Sequence, residues 1–218
     1  MLGRQGFHVS QEPESWQRAK RIASIRIPGS DPEQFLQADG YSETFLRYLG
    51  AQSVISMDFS DYEGAEIIHD LNTPVPCALE NRFDFIFDGG TLEHVYNIPV
   101  AMGNIKSMLR CGGVFVSANA ANNQLGHGIY QFCPELFWVA FGPESGFAIE
   151  QMALVPRVSG ETMPERIPLV DAGSVRQEIG QTPSATYLIV AVRRVSPVIS
   201  VENGYQRDYV AAWKARMR

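Results

Sequence analysis

Close together in this chain stand Asp88, Glu93 and His94, behind the glycine pair Gly89 and Gly90, and a second histidine, His127, lies further on between Gly126 and Gly128. An ionised carboxylate only accepts hydrogen bonds, so it suits a ligand that offers hydroxyls, amines or a positive centre. An imidazole, with an ordinary pKa of about 6.5, gives and takes protons near neutrality. His94 can therefore take the proton from a hydroxyl or amine as that atom becomes a nucleophile, an assistance of typically ~10²–10⁴ in rate. His127 offers the same chemistry, as a base or as a substrate anchor, and Tyr130 and Gln131 beside it are further candidate substrate contacts. The plainer alternatives are that Asp88, Gly89 and Gly90 form only a tight turn and that Glu93 sits there because an acid favours the start of a helix. His8 and His69 read as structural. No H-E-x-x-H or other metal-ligand spacing occurs, so no metal site is expected.

For these groups to meet one ligand, the chain around them must form a strand, a turn and a helix. Residues 83–87, FDFIF, are aromatic and branched, and they stop at two glycines that open backbone angles closed to other residues. A helical pattern follows, opened by Glu93 and His94, with Ile98, Met102, Ile105 and Met108 at three-to-four spacing. Cys111, Gly112 and Gly113 end it, and Val114, Phe115 and Val116 start a second buried strand. Ligands of open parallel sheets sit beyond the carboxyl ends of the strands, which places the chemistry at residues 88–94.

The rest of the chain extends this pattern. Helices are expected at residues 14–25, 42–49, 134–141 and 204–218, and strands at 53–58, 66–69, 147–155 and 185–192. Tyr205, Tyr209, Ala212 and Trp213 are the expected packing side of the last helix. Residues 118–131 read as a polar, glycine-containing loop of the kind that often carries function or a lid. Met1, Leu2 and Gly3 look like the end of a first strand that is short or truncated. The order predicts an α/β fold, a mostly parallel, Rossmann-like sheet with helices on both faces. One domain is expected over residues 1–195, with insertions at about 10–40 and 156–183, followed by a tail over 196–218 that contains a helix.

Composition narrows the partners. The chain has 218 residues, 45% of them hydrophobic and 19% charged, and a chain of that size buries about 70% of its unfolded surface. A net charge of −6 disfavours a nucleic-acid partner, since phosphate binding normally leaves a basic patch. No apolar run approaches the ~18 residues of a membrane span, and the first residues lack a secretion-signal pattern. Cys77, Cys111 and Cys133 are odd in number and far apart, so no disulfide framework is expected. A cytoplasmic protein with a small-molecule substrate, and with homo-oligomerisation open, is the expectation.

Four segments in order carry a resemblance. FDFIFDGGTLEHV with IKSMLRCGGVFVS resembles the fourth and fifth strands of class I S-adenosylmethionine-dependent methyltransferases, GYSETFLRYLGAQSVISMDFS the first helix and second strand, and IIHDLNTPVP the third strand. The stretch QLGHGIYQFCPELF is similar to the substrate-side segment of the small-molecule and sugar enzymes of that class. The resemblance covers residues 40–150. It implies S-adenosylmethionine as cofactor and methyl transfer to an oxygen or nitrogen of a small acceptor. It assigns the ribose hydroxyls to Asp58, the adenine to Asp70 and Leu71, and the methionine and sulfonium end to Asp88, Gly89 and Gly90. The glycine-rich first motif of that family is absent. Gly3, Arg4 and Gln5 stand near its place, with no carboxylate to meet the cofactor's ammonium group.

Two other classes share some of these features. A methyltransferase-like subunit that has lost catalysis and serves interaction or regulation fits the altered first motif. A nucleotide-binding oxidoreductase shares the acidic end of the second strand but lacks G-x-G-x-x-G.

Overall fold

The structure, a computed structural model, describes residues 1–10, 12–159, 162–197 and 204–217. Gln11, Gly160 and Glu161 of the two expected insertions, and residues 198–203 and Arg218 of the expected tail, lie outside the described residues. The chain forms two compact units, Met1–Asp70 with Arg157–Glu165, and Leu71–Pro156 with Arg166–Arg218.

The first unit contains α1 (Pro13–Arg26), α2 (Glu43–Tyr48), β1 (Met57–Asp58) and β2 (Ile67–Ile68). Proline at the start of α1 gives up an N–H that the first turn cannot use anyway. β1 and β2 pair in parallel, and Leu2 bridges Met57 in the same sense, so a single bridge stands where a short first strand was expected. The strand expected over residues 53–58 is reduced to Met57 and Asp58. Just before it, the Glu66 carboxylate accepts from the backbone N–H and the hydroxyl of Ser56, so that N–H is not available to a ladder. A run of rings leads from the buried Phe35 outward, with Phe35 4.7 Å from the exposed Tyr48 and 5.2 Å from Phe45, and Phe45 5.1 Å from Phe7. Such pairs contribute about 0.5–1.5 kcal/mol each beyond their buried area.

The second unit contains β3 (Phe83–Asp88), α3 (Ile98–Met108), β4 (Leu109–Ala120), α4 (Pro134–Ala140), β5 (Phe147–Pro156), β6 (Ile167–Pro168), β7 (Thr186–Arg194) and α5 (Arg207–Arg216). Its strands follow the order β3-β4-β7-β5-β6. β3 and β4 are parallel, whereas β7 runs antiparallel to both β4 and β5, and β6 is antiparallel to β5. The sheet is therefore mixed and not mostly parallel as expected, because the last strand enters between β4 and β5 against the direction of both. Side-chain alternation holds where β3, β4 and β7 meet, and is broken in β5 by a bulge between Ile149 and Gln151. Ile86 and Asp88 of β3, Phe115, Ser117 and Asn119 of β4, and Val192, Val190 and Leu188 of β7 are buried and adjacent in register. Phe141 joins this core, 5.6 Å from Phe115 and 5.4 Å from Phe147.

Three local expectations need correction. β4 begins at Leu109, directly after α3, and runs to Ala120, so Ala118, Asn119 and Ala120 belong to a strand and not to the following loop. Pairing with β7 as far as Ala120 opposite Tyr187 holds them there. Glu93 and His94 do not open the helix: they sit in a separate 3-10 turn, Leu92–His94, and α3 starts at Ile98 with proline in its first turn. α5 buries no residue; Trp213 stacks on Tyr209 at 6.1 Å and meets Tyr205, just before the helix, edge-on at 5.4 Å, while Arg176 lies over Tyr209. Arg207 at its start, paired with Glu135 at 3.1 Å and Asp171 at 2.7 Å, ties it down instead.

Candidate functional site

In the second unit the polar residues of the sequence pattern gather at the carboxyl edge of β3 and β4. Asp88, the last residue of β3, is fully buried. Its Oδ1 accepts from the backbone N–H of Thr91 at 2.8 Å and of Leu92 at 3.3 Å, which folds the chain into the 3-10 turn. Its Oδ2 accepts from Ser117 Oγ at 3.2 Å and from Asn119 Nδ2, both on β4. Burial pushes the Asp88 carboxyl above the usual carboxylate range, against the pull of its hydrogen bonds from Asn119, Thr91, Leu92 and Ser117. The Oδ1 of Asn119 is buried with no donor among the described residues. Gly90, with φ of 110°, supplies the left-handed backbone that the turn needs.

That turn delivers Glu93 and His94. The Glu93 side chain is almost completely buried, and its Oε2 accepts from the backbone N–H of Ala120 at the end of β4. Its Oε1 faces two imidazoles, with His127 Nε2 at 3.0 Å and His94 Nε2 at 3.8 Å. Both rings are about half exposed, and their centroids are 6.0 Å apart. The loop that carries His127 is folded onto this turn: the carbonyl of Glu93 accepts from Ile129 at 2.8 Å and Tyr130 at 3.0 Å, and Tyr130 Oη donates to the Tyr96 carbonyl at 2.7 Å. His94 and His127, thirty-three positions apart on this count of their numbers, are thus brought to one carboxylate.

Gly128 permits this close packing, because a Cβ there would lie 2.8 Å from the Glu93 carbonyl oxygen. Gly128→Ala is expected to push the loop off the turn and to destabilise the protein by about 1–2 kcal/mol, as overpacking against backbone does. Thermal unfolding of the variant checks the loss, and the His127 imidazole NMR shift checks the displacement.

Leu71 is buried in the second unit, and its carbonyl accepts from Asn104 Nδ2 of α3 at 3.2 Å. The same amide donates to Thr73 O at 2.9 Å and accepts from the Val75 N–H at 2.9 Å, so one buried side chain shapes this segment. Gly89 is exposed beside Asp88.

In the first unit, Asp58 ends β1 half-buried, with Oδ1 accepting from the Phe59 N–H at 2.6 Å. Asp70 ends that unit and is also half-buried. Gly3 takes a positive φ of 64° and donates to the Met57 carbonyl at 2.8 Å. Gln5 Nε2 donates to the Leu2 carbonyl at 2.6 Å. Arg4 is a hub: Nε donates to Glu43 Oε1 at 2.7 Å, Nη2 to Asp39 Oδ2 at 2.7 Å and Nη1 to the Glu63 carbonyl at 2.9 Å, and the guanidinium lies 3.8 Å from the centre of the Tyr41 ring.

Glu93, Ser117 and Asn119 are the polar residues whose part the sequence reading missed. No local signal marks Ser117 and Asn119, because their tie to Asp88 comes from the parallel register, in which Asp88 stands opposite Ser117 with Asn119 next along the same face. A cavity of about 870 Å³ also lies in the second unit, lined by Lys106, Trp138, Met152, Tyr205 and Arg207 among others, and shares no residue with the Glu93 cluster. Among the described residues no helix is long and apolar enough to cross a membrane.

No protein-family model matches the chain, and no curated protein matches it. Among solved structures it is similar to S-adenosylmethionine-dependent methyltransferases. The 1,6-didemethyltoxoflavin-N1-methyltransferase of Burkholderia thailandensis, solved with 1,6-didemethyltoxoflavin and S-adenosylhomocysteine, is 16% identical over 71% of this chain and 67% of its own, with a TM-score of 0.44. An S-adenosylmethionine-dependent methyltransferase from Mesorhizobium loti is 17% identical over 69% of this chain and 85% of its own, with a TM-score of 0.40. A protein solved in work on the conversion of a disulfide bond into a thioacetal group during echinomycin biosynthesis is 15% identical over 79% of this chain and 76% of its own, with a TM-score of 0.42.

Proposed function

We propose that this chain is an enzyme that transfers a methyl group from S-adenosylmethionine to an oxygen or nitrogen of a small-molecule acceptor. The observation that carries the reading is the pair of half-exposed imidazoles set on the buried Glu93 carboxylate beyond β3 and β4. The order of sequence segments that resembles class I methyltransferases supports it independently.

In this reading His127 Nε2, 3.0 Å from Glu93 Oε1, keeps its proton on the side of the carboxylate, and Nδ1 is the nitrogen that accepts. Glu93 cannot turn away, because its other oxygen holds the Ala120 N–H. The carboxylate thus fixes tautomer and ring orientation, so that His127 Nδ1 takes the acceptor's proton as its oxygen or nitrogen becomes nucleophilic. His94, beside the same carboxylate, is the second candidate for that role. The cofactor would supply the electrophilic methyl on its sulfonium, and the protein supplies proximity and alignment.

The cofactor residues are those the resemblance assigns, and the structure allows a test of their fit within each unit. In the first, Asp58 commits only one oxygen to its neighbour and stays partly exposed, which suits a ribose. We assign Asp70 and Gly3 the parts that the resemblance implies; the side chains of Arg4 and Gln5 are occupied by protein groups, so any contact from them is through backbone. In the second, Asp88 is filled by four hydrogen bonds and shapes the turn, so that Gly89 and Gly90 present backbone, while the Leu71 side chain is buried. The net charge of −6 favours a small acceptor over nucleic acid, and we place the protein in the cytoplasm, with a homo-oligomer as an open arrangement.

Isothermal titration with S-adenosylhomocysteine tests the proposal. The wild-type chain is expected to bind, and Asp58→Ala to bind about 10- to 100-fold more weakly, the loss of one to two charge-assisted hydrogen bonds. No binding at millimolar concentration overturns the reading. The saturated Arg4 favours one alternative, a methyltransferase-like subunit without catalysis. Co-purification of a tight protein partner together with absence of cofactor binding would establish that instead.

A further inference from the structure

We propose that Glu93, His94 and His127 form a binding site for one divalent first-row transition-metal ion. Each residue offers one ligand atom, and these three atoms lie within 4.8 Å of one another. Two imidazole nitrogens and one carboxylate oxygen suit zinc, iron or cobalt and leave further coordination positions open.

The site is prepared on one side and adaptable on the other. Glu93 is held from three directions: Oε2 by the Ala120 N–H, and its carbonyl by the N–H groups of Ile129 and Tyr130. Its Oε1 is the atom left facing both rings. A buried carboxylate whose second oxygen is already hydrogen-bonded is oriented as metal-ligating carboxylates usually are. Metal–ligand bonds of about 2.0–2.2 Å place neighbouring donors roughly 3.0–3.5 Å apart. The distances from Oε1, 3.0 Å to His127 and 3.8 Å to His94, already lie near that range. Both rings are half exposed, so closing the remaining gap between them takes only side-chain rotation. Two imidazole nitrogens stand against a single carboxylate in the group, which disfavours the hard ions that prefer oxygen shells.

The simpler reading of the geometry is a proton shared by His127 and Glu93. An ion would take the place of that proton on the same two atoms, and the two readings therefore predict different measurements. The catalytic part of the ion, unlike its binding, rests on the methyl-transfer reading. An acceptor hydroxyl on an open coordination position would lose its proton to solvent more readily, and neither ring would then act as base.

The test uses the untagged full chain, stripped with a chelator and titrated with Co²⁺ while visible absorption is recorded, then with Zn²⁺ by calorimetry. One ion per chain, with d–d bands that Zn²⁺ abolishes, is expected. Glu93→Gln, His94→Ala and His127→Ala are each expected to weaken binding at least about tenfold, and His8→Ala and His69→Ala to leave it unchanged. Glu93→Gln keeps an acceptor for the Ala120 N–H, and the two histidines are exposed, so circular dichroism should show all three folded. Absence of Co²⁺ bands, or variants that bind as the wild type does, overturns the site. Metal binding without S-adenosylhomocysteine binding removes only the methyl-transfer role, and the reverse outcome removes only the metal.

Discussion

Asp88→Ala is expected to cost about 3–5 kcal/mol of stability and to lower the melting midpoint by roughly 10 °C. The carboxylate satisfies two backbone N–H groups, one hydroxyl and one amide, all at the inner end of β3. Truncation leaves those donors in a buried space with nothing to accept them, and an unsatisfied buried donor costs about 1–3 kcal/mol. Asp88→Asn should lose far less, since its Oδ1 still accepts from Thr91 and Leu92 and, once the Asn119 amide turns over, its Nδ2 can donate to Asn119 Oδ1. The pH dependence has a definite sign. An acid whose pKa is raised by folding stabilises the fold while protonated, an effect complete below its unfolded pKa of about 3.9 and lost as pH rises through the folded value. The stability of Asp88→Asn relative to wild type should therefore improve from pH 4 to pH 8, as chemical unfolding at several pH values can measure. An unchanged difference would mean that the carboxyl does not titrate upward at all.

Arg4→Ala should cost about 2–4 kcal/mol through the first unit. The Glu43 carboxylate is only 6% exposed, and removing its cation leaves a charge in a poorly solvated place. The amide of Gln37, 2.9 Å from Glu43 Oε2, remains and limits the loss. Asp39 is 46% exposed, so water replaces the guanidinium there at little cost. Arg4→Lys should recover less than half, because an ammonium cannot address Glu43, Asp39 and the Glu63 carbonyl at once or lie flat on Tyr41. Urea unfolding followed by far-ultraviolet circular dichroism gives the stabilities. A variant that loses S-adenosylhomocysteine affinity while its stability is unchanged would show that Arg4 serves the ligand and not the fold.

How much of this was legible beforehand differs with the range of the forces involved. The run at residues 83–87 and its glycine stop were readable because pleat alternation and positive φ are local properties, and β3 ends at Asp88 accordingly. β5 and β7 were legible in the same way, as long apolar runs, but their direction was not. Nothing in residues 186–194 says that they will lie between β4 and β5, since strand order is decided by tertiary pairing. Gly112 and Gly113 read as a stop, yet β4 runs through them; a side chain at Gly113 would meet the Arg110 carbonyl at 2.9 Å and the Asp84 carbonyl at 3.1 Å. Glu93 reads as a charge at a helix start because its partner, the Ala120 N–H, is far along the chain. The aromatic residues of α5 have the spacing of a packing face, but spacing cannot tell a ring that meets a core from one that stacks on its own helix.

The place of β7 has a consequence for biosynthesis. β4 and β5 flank it, and both need it for their backbone partners on that side. Until the ribosome has released residues 186–194, two long strands of a nascent chain present unzipped edges, one of them beside the half-assembled carboxylate and imidazoles. This sheet is thus finished only after residues 186–194 have emerged, and chaperones that mask such edges are the cellular factors on which its yield should depend.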